Sequence, residues 1–218
     1  MNPASAHEAN VTGTTRSAFG RLLLGVWAAA ILLVGAFLMA GHLVALPLPR
    51  AADERLPATL PGGPQLAAGK WVAVHILYES CGCSKRVLTH LLARGARADL
   101  RETVAFVREP GAGASIAETR TAIEHAGFGF EALSPDALVA RYHVESAPSL
   151  LVADGGGTVR YLGGYNRRSG SLAFEDLTII DRLRAGGSAA PLPVFGCAVS
   201  SRLQGAIDPL GIKYRRGR

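Results

Sequence analysis

Apolar positions fall into three unlike patterns along this chain. Leu22 to Ala40 reads LLLGVWAAAILLVGAFLMA, without a charged side chain. As a helix that run rises about 28 Å, close to the hydrocarbon thickness of a bilayer. A soluble helix is rarely apolar all round. The run therefore predicts a membrane anchor over 22–42, with a cytoplasmic tail over 1–21. The competing reading is a cleaved signal peptide, which needs a shorter apolar core and a small-x-small cleavage site. Leu38-Met39-Ala40 and Leu43-Val44-Ala45 both put Leu where a small residue is required, which favours an uncleaved anchor. Arg16 and Arg21 precede the span and Arg50 and Arg55 follow it, so the positive-inside count is a tie.

The second pattern, residues 43–69, carries Pro47, Pro49, Pro57, Pro61 and Pro64 with a Gly62-Gly63 pair. This is the composition of an extended, semi-rigid linker.

The third pattern alternates strand-like and helical periodicities over 70–187. Trp71-Val72-Ala73-Val74-His75-Ile76-Leu77-Tyr78 reads as a central buried strand. Ser84 to Arg94 places Val87, Leu88, Leu91 and Leu92 on one helical face and stops at Gly95. Thr103 to Val107 is a second strand. Ser115 and Glu118 form a capping box for a helix ending at Gly127. Ser134-Pro135-Asp136 opens another helix. Ser149 to Ala153, the turn Asp154-Gly155-Gly156-Gly157, and Thr158 to Leu162 read as a hairpin. Leu177, Ile180 and Leu183 mark a last helix closed by Gly186. The implied fold class is α/β, a mixed sheet flanked by helices. Residues 188–218 remain as a C-terminal extension. In it, Phe195 to Leu203 reads as a short helix beginning near Cys197, followed by a basic tail.

Length and composition narrow the function. A chain of 218 residues, 49% apolar, holds one cored domain plus extra segments. The net charge is +6, with Lys213, Arg215, Arg216 and Arg218 crowded at the end. No aromatic-laced basic stripe accompanies them, so a nucleic-acid partner is not expected. Cys81, Cys83 and Cys197 are too few for a disulfide scaffold.

Cys81-Gly82-Cys83 falls where the first strand gives way to a helix. Helix N-termini offer unpaired N–H groups and a partial positive charge, both favouring thiolate. Lys85 and Arg86 add charge nearby. The thiolate is the form that attacks disulfides. A Cys-x-Cys disulfide closes a small, strained ring, easier to reduce than a wider one. The bland alternative is a pair of inert thiols. Cys197 reads equally as a small apolar core residue or as a partner of the first pair, resolving a disulfide or binding metal.

A strand running into a cysteine motif, followed later by Tyr142-His143-Val144-Glu145-Ser146-Ala147-Pro148-Ser149-Leu150-Leu151-Val152-Ala153-Asp154-Gly155-Gly156, resembles the thioredoxin superfamily. With the tether, the chain resembles the membrane-anchored periplasmic thioredoxins that reduce disulfides during cytochrome c maturation. The resemblance implies a cis peptide bond before Pro148, packed against the cysteines and shaping the substrate groove. It also implies a proton-moving role for His75, where thioredoxins carry a buried acid; a hydrogen-bonded core histidine is the competing reading. His143 lies close to Pro148 in sequence. The departures are Ser80 before Cys81 and Ser84 where a second cysteine is usual.

Two functions follow as expectations. The first is a thiol–disulfide oxidoreductase using Cys81, Cys83, Pro148 and His75, without a cofactor. Its partners are protein thiols or disulfides and, through residues 22–42, the bacterial inner membrane, with the domain facing the periplasm. The alternative is a copper-type metal-binding module in which Cys81, Cys83 and Cys197 supply the soft ligands that suit Cu(I).

Overall fold

All seven residues of β1 (Val72–Tyr78) are buried, as its unbroken apolar run requires of a strand covered on both faces. The structure, a computed structural model, describes residues 18–36, 45–47, 70–108, 116–209, 211 and 213–214. After β1 come α2 (Gly82–Arg94), β2 (Arg101–Val107), α3 (Ile116–His125), β3 (Gly129–Leu133) and α4 (Pro135–Tyr142). Then follow β4 (Ser146–Ala147), β5 (Ser149–Ala153), β6 (Val159–Gly163), α5 (Asp176–Arg184), β7 (Cys197–Ala198) and α6 (Ser201–Ile207).

The main sheet has the order β3-β2-β1-β5-β6. β1 pairs parallel to β2, and β2 parallel to β3. β5 runs antiparallel to both β1 and β6. Alternation along β1 sends Val74, Ile76 and Tyr78 to one face, where α4 contributes Leu138 and Tyr142. Ala73 and Leu77 face the other way, against Val87 and Leu91 of α2, Ile123 of α3, and Ile180 and Leu183 of α5. Truncating a side chain as buried as Leu91 costs about 2–5 kcal/mol.

An apolar helix, α1 (Ala18–Ala36), belongs to a separate unit, Met1–Val44. It is long and apolar enough to cross a membrane or to act as a signal sequence. It begins before the expected residue 22, and residues 37–42 of the expected span lie outside the described residues. So does most of the linker 43–69. Its Leu46 is described, and donates its N–H to Val194 at 2.8 Å.

The structure departs from expectation in three places. First, α2 opens at Gly82, two residues early, because Cys81 is its N-cap and the Cys81 carbonyl accepts from Lys85 N–H at 3.1 Å. Second, β3 was not foreseen: Gly-Phe-Glu-Ala-Leu has no β-branched residue, and its parallel ladder to β2 makes it a strand. Third, Cys197 is on a strand. The last helix starts at Ser201, capped by the Ser200 hydroxyl accepting from Leu203 N–H at 3.0 Å. The segment from 188 shares the domain's cores through Leu192 and Val199. Gly164 shows how closely it lies: a Cβ there would stand 2.0 Å from the Pro193 carbonyl oxygen. Ser115 of the expected capping box falls outside the described residues.

Candidate active site

The chain leaves β1 at Tyr78, and Cys81 N–H turns back to the Tyr78 carbonyl at 3.0 Å. Ser84, where the resemblance puts a second cysteine, is buried, and its hydroxyl accepts from Tyr78 N–H at 3.0 Å. That bond locks the turn and aims the start of α2 across the end of the sheet. Cys81 is fully buried at the N-cap, while Cys83 and Cys197 are half-buried.

Cys197 arrives from the other side. β7 pairs antiparallel with β4, placing Ala147 opposite Cys197 and Ser146 opposite Ala198. The Ala147 carbonyl oxygen lies 3.7 Å from Cys81 Sγ, and the Ala147–Pro148 bond is cis. Cys81 is coupled electrostatically to both other thiols, and Cys197 is coupled more strongly to Cys81 than to Cys83. In order of coupling the three thiols form a row, Cys83–Cys81–Cys197.

Three neighbouring thiols share their protons. Cys197 is lowered to about 7, chiefly by the hydrogen bond from Cys81, with help from the Lys213 charge and the Tyr214 hydroxyl. Cys81 is raised, first by its bond to Cys197. Cys83 is raised well above the usual thiol value, first by its bond to Cys81 and then by burial; Arg86 opposes this, its Nη2 standing 3.5 Å from Cys83 Sγ. The row thus holds one negative charge readily and a second with difficulty. Shifting two protons along it moves the charge from Cys197 to Cys83. Cys83, Arg86, Pro148, Asn166, Arg168 and Phe195 line a shallow cleft open to solvent.

His75 is not brought into this row. It shares a sheet face with Ala73 and Leu77, whereas Cys81 packs with Val74, Ile76 and Tyr78. Its Nε2 lies 2.9 Å from Glu102 Oε2 and its Nδ1 2.9 Å from the Tyr165 hydroxyl. Arg94 also pairs with Glu102, and its Nε donates to Asp176 at 3.0 Å. The core-histidine reading describes this position. His143 is the exposed left-handed C-cap of α4, with φ 54°. Lys213 falls in the basic tail, and no local signal in the sequence ties it or Tyr214 to Cys197. Among the described residues, no group of three or more Cys, His, Asp or Glu is arranged to hold a metal ion.

No family model matches the chain, and no curated protein does. Solved structures resemble it in shape. A hypothetical protein from Sinorhizobium meliloti aligns over 72% of this chain and 96% of its own, at 18% identity and TM-score 0.44. A thiol:disulfide interchange protein from a Bacteroides species aligns over 64% and 93%, at 18% identity and TM-score 0.41. A thiol-disulfide isomerase from Corynebacterium glutamicum aligns over 53% and 84%, at 18% identity and TM-score 0.35. The strand order, the helix that opens at Cys81, and the cis-proline segment that meets it make this a thioredoxin-like fold.

Proposed function

We propose that this chain is a thiol–disulfide oxidoreductase, tethered by its N-terminal helix to a bacterial inner membrane with the thioredoxin-like domain in the periplasm. The carrying observation is that the start of α2 and the β4–β7 ladder bring Cys81, Cys83 and Cys197 around the Ala147–Pro148 segment. Cys83 is the sulfur on the solvent-facing cleft, so it meets the substrate. Arg86 opposes the upward shift of its thiol, and passing its proton through Cys81 to Cys197 supplies the attacking thiolate. It attacks a substrate disulfide and forms a mixed disulfide; Cys81, directly behind it, resolves that bond. Pro148 borders the cleft and positions the incoming chain.

The same sulfurs support a second reading, a Cu(I) site, because thiolates are soft ligands. A row with Cys81 in its middle suits sulfur-to-sulfur transfer better than a shared metal centre. The deciding experiment uses the anaerobically purified full chain in detergent, assayed for bound metal and then equilibrated with glutathione buffers. An oxidoreductase gains and loses one disulfide reversibly, and Cys83→Ser stops turnover of a protein disulfide substrate. Stoichiometric copper with thiols inert to glutathione would overturn the proposal.

A further inference from the structure

We infer that Cys197 is the disulfide partner of Cys81, so that the oxidised protein stores its disulfide between these two sulfurs and keeps Cys83 as the free, substrate-facing thiol. This assignment rests on the oxidoreductase reading and names which sulfurs carry its electrons.

The main argument is how firmly Cys197 is delivered. Before it, Leu192 and Val194 are buried, Gly164 N–H donates to the Leu192 carbonyl at 2.8 Å, and Leu46 bridges to Val194. After it, Val199 N–H donates to the Glu145 carbonyl at 2.7 Å, and the Glu145 carboxylate accepts from Ser200 and Arg202. Ala198 N–H donates to the Tyr214 hydroxyl at 2.9 Å. Between these clamps the β4–β7 ladder holds Cys197 beside Ala147, whose carbonyl borders Cys81. A cysteine serving only as a small core residue would be better buried and less closely aligned with a second thiol.

Cys83 is the poorer partner for a stored bond. Cys83 sits in the first turn of α2 just after the Cys81 N-cap, and a bond between cysteines so close along the chain closes a small, strained ring. Closing Cys81 onto Cys83 bends the first turn of α2. Cys197 comes from an independent backbone that the β4–β7 ladder sets beside Ala147, so a bond to it demands no bend within α2. Cys81 itself, with no exposed surface, exchanges only with the two sulfurs that flank it.

The sequence of steps balances. Cys83 thiolate attacks one sulfur of a substrate disulfide; the substrate S–S bond breaks, one substrate thiolate leaves, and a Cys83–substrate disulfide forms. Cys81 attacks Cys83 Sγ, forming Cys81–Cys83 and releasing the second substrate thiolate. Cys197 attacks Cys81 Sγ, forming Cys81–Cys197 and freeing Cys83. In total the substrate disulfide gains two electrons, and its thiolates take the protons lost by Cys81 and Cys197. In the opposite direction, the stored disulfide passes to a substrate dithiol.

The test is a peptide map of the full chain in detergent, oxidised in glutathione buffer, acid-quenched, alkylated and digested with trypsin. Cys81 and Cys83 share peptide 71–85, and Cys197 lies in peptide 185–202. The expected product is these two peptides joined, with Cys83 alkylated. Cys81→Ser should reduce the joined product at least about tenfold. An internal loop within 71–85, with Cys197 alkylated, overturns the assignment and leaves the oxidoreductase reading standing. Three alkylated cysteines in every glutathione buffer overturn both.

Discussion

Ala147 and Cys197 face each other as register partners in the two-residue ladder of β4 and β7. The Ala147 carbonyl oxygen also stands 3.7 Å from Cys81 Sγ. One backbone unit therefore borders a cysteine at the start of α2 and a cysteine far along the chain. The cleft beside Pro148 then has Cys83 in its lining, with Cys81 fully buried.

Gly196 is the residue that lets β7 lie so close. A Cβ there would fall 1.9 Å from the Ala147 carbonyl oxygen and 2.7 Å from Pro148 Cδ. Backbone cannot yield that distance without moving, so Gly196→Ala should lift β7 from β4. The expected cost is about 1–3 kcal/mol of stability, as for other overpacked sites. Chemical denaturation measures it. Alkylation of Cys197 should also speed up, since lifting β7 exposes the thiol. Unchanged stability and unchanged alkylation would show that β7 is not held as described.

The thiol row makes a pH prediction. Cys197 is lowered to about 7, mainly by the hydrogen bond it accepts from Cys81. Its alkylation rate should rise through half its maximum near pH 7. Cys81→Ala removes that donor, so the midpoint should move up toward the ordinary thiol range. The measurement is the pH profile of iodoacetamide labelling of peptide 185–202. A wild-type midpoint already in the ordinary range would remove Cys197 as the seat of the shared charge.

Local chemistry was legible in the sequence; long-range pairing was not. The β1 run, the Ser134-Pro135 helix start and the Ala147-Pro148 segment each carry their signal within a few residues. The start of α2 was misplaced because its N-cap is Cys81, and cysteine is not among the capping residues. β3 and β7 exist because partner strands bind them, and five or two residues hold too little pattern to reveal that. Cys197 was recognisable as a candidate, yet its position beside Cys81 depends on a ladder between distant segments. His75 was flagged for its place on β1, but strand alternation turns it toward Glu102 and Tyr165.

That His75–Glu102 contact makes its own prediction. Burial pushes the Glu102 carboxyl up, but hydrogen bonds from His75 and Arg94 and their charges outweigh it, leaving about 2 against an ordinary 4.5. A group whose folded pKa is depressed stabilises the fold above its unfolded value. That stability is lost as pH falls through the folded one. The contribution is on the order of 3 kcal/mol, present above pH 4.5 and declining toward pH 2. Glu102→Gln should therefore destabilise the domain at pH 7, and its difference from wild type should shrink below pH 4. Urea unfolding at several pH values tests this; a difference independent of pH would mean that Glu102 acts by shape alone.

The tether makes the last prediction. α1 carries Arg21 in its first turn, where a long cationic side chain can reach back to the headgroups. Arg16 lies before it, and Arg50 and Arg55 follow the apolar run, so charge alone does not choose an orientation. The thiol row favours one: a stored disulfide persists in an oxidising compartment and is rapidly reduced in a cytosol. The N-terminus should then lie in the cytoplasm, with the thioredoxin-like domain outside it. Alkaline phosphatase fused after Gly69 needs its own disulfides, so it should be active, and should stay with the membrane fraction if the helix is uncleaved. An active fusion released to the soluble periplasm would replace the anchor by a signal peptide. An inactive fusion, with a cytoplasmic reporter active at the same site, would reverse the orientation and remove the periplasmic half of the proposal.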